Sequence, residues 1–107
     1  MKDYINPPVP QIVILCALLT AKNDSQRVSK IRSLVGCWND LNQSIEMLND
    51  TQLELLKKEQ SGCLEEAQKE TLVKVSIELR KEVARLHAFL RGCRVTAQKN
   101  WKGKLEA

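Results

Sequence analysis

The sequence predicts an all-α fold: a small helical bundle built on a long antiparallel helical hairpin, with a short apolar N-terminal helix. Three observations carry this expectation. Over residues 64–99 apolar side chains recur at helical spacing for 36 positions without a proline. Ile31, Leu34, Trp38, Leu41, Ile45 and Leu48 alternate steps of three and four, a clean heptad seam. Only three prolines and four glycines punctuate the 107 residues, too few turns for a many-stranded sandwich or barrel.

A chain of this length makes one domain with a single modest core, too small for a cleft between two lobes. Its 43% hydrophobic and 28% charged residues are those of a folded, water-soluble chain rather than a disordered tail. The charge is unevenly placed. Through Thr71 there are eight Lys/Arg against ten Asp/Glu, a net of −2; from Leu72 onward there are nine against three, a net of +6. The C-terminal third is therefore a basic surface on a near-neutral body, attractive to acidic partners, phosphates or anionic lipid.

Residues 1–10 read as an extended arm, because Pro7, Pro8 and Pro10 exclude a helix there. Pro10 then opens a first helix over 11–22, where a missing amide hydrogen costs nothing. Its core, IVILCALLTA, is apolar nearly all round, as expected of a helix sandwiched between neighbours or donated to another molecule. The same run resembles the apolar region of a secretory signal, but Lys2 is offset by Asp3 and no basic leader precedes it. Ten apolar residues also fall short of the ~20 that span a bilayer.

Asn23 with Gln26 loosely fits a capping box, so a second helix is predicted over 25–60. Trp38, inside the seam, is expected as a core anchor. At 49–51 two signals conflict. Thr51 and Glu54 make the T-x-x-E box of a fresh helix start, yet Leu55 continues the heptad seven residues after Leu48. The favoured reading is a break or kink at 49–51, leaving a short helix over 52–60; the alternative is a hairpin of two continuous helices, each about 54 Å long. Ser61 and Gly62 make the C-terminal turn.

A third helix is predicted over 63–99. Leu72, Val75, Leu79, Val83, Leu86, Leu90 and Cys93 form one stripe. Nearly opposite, at about 100° per residue, runs a slimmer strip of Val73, Ile77, Ala84, Ala88 and Val95. Arg80, Arg91 and Arg94 border it on one flank; Lys74, Lys81, Arg85 and Lys99 border it on the other. Acidic residues early and basic residues late in this helix also complement its dipole, a structural reason for part of the charge asymmetry. Gly92 is expected to interrupt the helix late, and residues 100–107, a basic tail carrying Trp101, Lys102 and Lys104, to fray.

The chemistry that can be written is sparse. Cys16, Cys37, Cys63 and Cys93 are spaced by 21, 26 and 30 residues, with no CxxC pair and one histidine, so no zinc site is expected. The thiols are read as reduced, in a cytoplasmic protein. His87 lies six residues before Cys93, about 120° away around one helix, which disfavours a nucleophile–base pair. No phosphate loop, HExxH or Asp-rich metal loop is present. The expectation is a protein without catalytic residues or cofactor.

Recognition is the expected role. The second strip has to be covered by something. The intramolecular cover is the first helix, which would make the third helix the centre of the bundle. Otherwise the strip takes an acidic amphipathic helix, from a partner or by self-association. Arg80, Lys81, Arg85, Arg91, Arg94 and Lys99 would then pair across the edges of Ile77, Ala84, Ala88 and Val95. The alternative function is nucleic-acid binding, with Arg91, Arg94, Lys99, Lys102 and Lys104 on phosphates and Trp101 stacked on an unpaired base. A membrane partner is not expected.

Overall fold

A computed structural model describes residues 9–106, with side chains through Lys102. The predicted arm lies outside the described residues except for Val9 and Pro10, and so does the side chain of Lys104. The fold is all-α: α1 (Gln11–Thr20), α2 (Asp24–Gln60) and α3 (Glu66–Glu106). Each helix packs on both others.

α1 starts as expected. Pro10 sits in extended geometry and its carbonyl accepts from the Val13 amide at 3.0 Å. The helix ends two residues short of the predicted boundary, because Ala21 turns extended. No basic residue lies in its own last turn. Instead Lys30, from α2, donates from Nζ to the Thr20 carbonyl at 2.6 Å, placing a cation at the negative end of the α1 dipole.

Asn23 caps α2: its Oδ1 accepts from the Gln26 amide at 2.9 Å, while Gln26 Oε1 accepts from the Lys22 amide. The helix then runs 37 residues without interruption. The favoured break at 49–51 is therefore corrected. Thr51 does not cap a new helix; its hydroxyl donates back to the Met47 carbonyl at 3.0 Å, within the same helix. Two features tie down the stretch at and just past the ambiguous residues. Leu55 is buried, and Gln52 Nε2 donates to Ser76 Oγ on α3 at 3.0 Å. Tertiary burial outweighs a local capping signal.

The α2 terminus is a Schellman motif. Cys63 N–H donates to Lys58 and Gly62 N–H to Glu59, with Gly62 at φ +75°, a conformation that favours glycine. That turn delays α3 to Glu66. Its other end is also corrected: Gly92 does not interrupt it, and 100–106 are helical rather than a frayed tail. The Gly92 position is exposed, with nothing within 4 Å of where a Cβ would stand, so no neighbour approaches the backbone closely there.

Pairing of Gln52 with Ser76 at one end and of Trp38 with Cys93 in the core at the other fixes α2 and α3 as antiparallel. The shape is a rod, 64 × 27 × 16 Å. Its radius of gyration is 18.8 Å, against about 13 Å for a globular chain of this length. The core is gathered at one end, where Val13, Cys16 and Leu19 of α1 meet Trp38, Cys93 and Ala97, with Leu34, Leu86, Phe89 and Leu90 packed around them. Trp38 is 4% exposed, as expected of an anchor. α1, about 15 Å long, reaches only that end; beyond it the molecule is two helices wide.

Candidate functional site

The two stripes of α3 separate cleanly. Leu72, Val75, Leu79, Val83, Leu86 and Leu90 are half-buried toward the hairpin, and Cys93 is buried. Every member of the second strip is exposed: Val73 at 59%, Ile77 at 47%, Val95 at 53%, and Ala84 and Ala88 with them. Covering of this strip by the first helix is thereby corrected. α1 docks on the seam side instead, where Cys93 and Ala97 are small enough to let a neighbouring helix approach. Its position is also dictated by chain length. Only Ala21, Lys22 and Asn23 separate α1 from α2, so α1 cannot reach around to the outer face of α3.

The basic residues divide into two groups. Lys81 pairs with Glu78 at 3.4 Å and Arg85 pairs with Glu82, each three residues back on the same helix. Both are occupied locally, at the small worth of surface pairs. Arg80, Arg91, Arg94 and Lys99 are exposed and have no acidic partner among the described residues. With Lys74, which is also exposed and has no acidic partner among the described residues, these cations stand along the margins of an uncovered apolar strip. Toward the C-terminal end the strip runs into a shallow hollow lined by Val95, Gln98, Lys99, Trp101 and Lys102. Trp101 is 53% exposed there. The arrangement therefore brings together Ile77, Ala84, Ala88 and Val95 with Arg80, Arg91, Arg94 and Lys99, and sets Trp101 and Lys102 at one end; Lys81 and Arg85 are turned to their own glutamates.

The cysteines and His87 do not meet in a reactive group. His87 is exposed, whereas Cys93 is 4% exposed. Burial pushes the Cys93 thiol up from 9.0 to about 11, and its neighbours Cys16, a hydrogen-bond partner, and Cys37 add to the shift. A thiol held protonated is a poor nucleophile. All four cysteines are free; Cys37 and Cys63 are exposed.

Sequence reasoning overlooked one surface. Asp40, Gln43, Met47, Asp50 and Glu54 step by three and four along α2, on the side away from its seam. Met47 is 66% exposed, and no Lys or Arg occurs from Ser33 through Leu56. The signal was available as a spacing of acids, but it was hidden by the stronger period of the apolar residues. No described helix is long and apolar enough to cross a membrane. Compared with known protein families, curated proteins and solved structures, the chain matches none of them.

Proposed function

We propose that this chain is a non-catalytic helical adaptor or regulator that docks an acidic amphipathic helix along the outer face of α3. The observation that carries the reading is the coincidence of an uncovered Val/Ile/Ala strip with arginines that have no acidic partner among the described residues. Covering the strip would release its apolar surface from water at about 25 cal/mol per Å². Carboxylates on the incoming helix would meet Arg80, Arg91, Arg94 and Lys99 at its edges, which sets register and encounter rate more than raw affinity. Val73, Ile77, Ala84 and Val95 advance by four, seven and eleven residues, the spacing that a helix laid alongside can interdigitate with. A cytoplasmic setting goes with this reading, supported by four free thiols of which two serve as small apolar core groups.

The test is charge reversal of Arg91 and Arg94 together. R91E/R94E is expected to lose capture of a synthetic Glu-edged amphipathic peptide by at least about tenfold, while stability stays within about 0.5 kcal/mol, as for ordinary surface changes. Unfolding of the double variant, with peptide binding lost only for that reason, would show that these arginines serve the fold.

A second reading, nucleic-acid binding, is favoured by one observation: exposed Trp101 shares its hollow with Lys99 and Lys102. Base stacking beside phosphate contacts would use that arrangement. Salt separates the two, since log affinity for single strands falls by roughly 0.7 per phosphate neutralised. A steep slope with an oligonucleotide and no peptide capture would replace the first reading by the second.

A further inference from the structure

The acidic stripe of α2 and the basic-edged strip of α3 are complementary, and they belong to the same chain. Asp40 and Glu54 stand 14 residues apart on α2; Arg80 and Arg94 stand 14 residues apart on α3. Each interval is about 21 Å of helix. Exposed Met47 lies between the acids, as Ala84 and Ala88 lie between the arginines. All four charged residues are exposed. The basic-edged strip of α3 lies on the side turned away from the hairpin seam, and the acidic stripe of α2 runs from Asp40, which shares a shallow hollow with Leu41 and Glu82, to exposed Glu54, so the acidic stripe of one molecule does not face its own basic-edged strip. It can reach the α3 of another.

We propose that the acidic amphipathic helix taken by α3 is α2 of a second copy of this chain. This inference rests on the reading of α3 as a docking face and names its occupant. The contact is heterologous, because a stripe on one helix meets a different stripe on the partner. Each bound pair then presents one free α2 stripe and one free α3 strip, and association proceeds head to tail instead of stopping at a symmetric pair. A flat rod with acids over the middle of α2 on one edge and cations along α3 on the other is the shape such stacking requires.

Light scattering over a concentration series tests it. The wild-type mass is expected to rise at least about twofold above the 12.2 kDa monomer at low salt and to fall back at high salt. D40K/E54K, with two basic edges, and R80E/R91E/R94E, which turns the α3 margin net acidic, are each expected to stay monomeric. Mixed one to one they are expected to associate again, because the basic α2 of one meets the acidic α3 of the other, and the unchanged faces meet as well. That recovery also shows that both variants are folded; if circular dichroism finds either unfolded, its neutral counterpart, D40N/E54Q for α2 or R80Q/R91Q/R94Q for α3, replaces it and is expected to weaken association without abolishing it. A wild-type chain that stays monomeric at every concentration, variants that associate like wild type, or a mixture that fails to recover would each overturn self-association. In the monomeric case, capture of the Glu-edged peptide leaves the docking face standing and removes only the second copy as its occupant; failure of both removes the docking face too.

Discussion

Cys93 shows how one buried side chain links packing to solution behaviour. Its thiol lies among Val13, Leu19, Trp38 and Ala97, beside Cys16, and water is excluded. Because its folded pKa is raised to about 11 from 9.0, the folded state holds this proton more tightly than the unfolded chain does. The stabilisation is complete below pH 9 and is lost as pH climbs toward 11, an upper bound of about 3 kcal/mol. Denaturant melts at stepped pH are expected to show this alkaline loss in the wild type and a flatter profile over the same interval in Cys93→Ala, which starts from a lower stability. Thiol labelling gives a companion readout. Cys37 and Cys63 are expected to react at once under native conditions, and Cys16 and Cys93 only as the chain unfolds. Rapid labelling of all four would mean that α1 does not seal the core.

Among the elements, α2 offers the sharpest comparison between local and tertiary signals. Thr51 and Glu54 satisfy the capping box as well as many true helix starts do, and nothing in the local sequence rules it out. Continuity goes with the burial of Leu55 and with the bond from Gln52 Nε2 to Ser76 Oγ of α3, both just past the conflicting signals. The sign of one substitution distinguishes the two cases. Thr51→Ala in a continuous helix is expected to raise stability by a few tenths of a kcal/mol, since alanine is the better helix former; at a helix start the same change would cost about 1 kcal/mol. Gly92→Ala follows the same logic on α3. With open space around the position, it is expected to stabilise by roughly 0.5–1 kcal/mol, measured by thermal or denaturant melting, whereas a real interruption there would reverse the sign.

Over the whole molecule, stability is concentrated at one end. The three-layered end carries the contiguous core, while the turn around Gly62 is held by its Schellman motif, Leu55 and the Gln52–Ser76 bond. Hydrogen exchange is expected to be slowest at amides around Val13, Trp38 and Cys93 and progressively faster toward residues 56–72. Uniform protection along the rod under conditions where the chain is monomeric would contradict this gradient. Val73 and Ile77 are exposed at the two-helix end and Val95 toward the other, so the outer strip of α3 is open to water along most of the rod.

The helices, the seam of α2, the inward stripe of α3 and the anchor role of Trp38 were all legible in the sequence, because each is a matter of period along a single helix. Arg80, Arg91, Arg94 and Lys99 were legible as a basic margin for the same reason. The sequence could not say that Lys81 and Arg85 are taken up by Glu78 and Glu82, since the rotamers that close those pairs are chosen in three dimensions. Nor could it say which side of α3 the first helix takes. α1 is apolar nearly all round and carries no preference of its own; a three-residue connection and the small side chains of Cys93 and Ala97 made the choice. Periodicity along the chain determined which residues share a face, and only packing between chain-distant helices decided which of those faces is left to water.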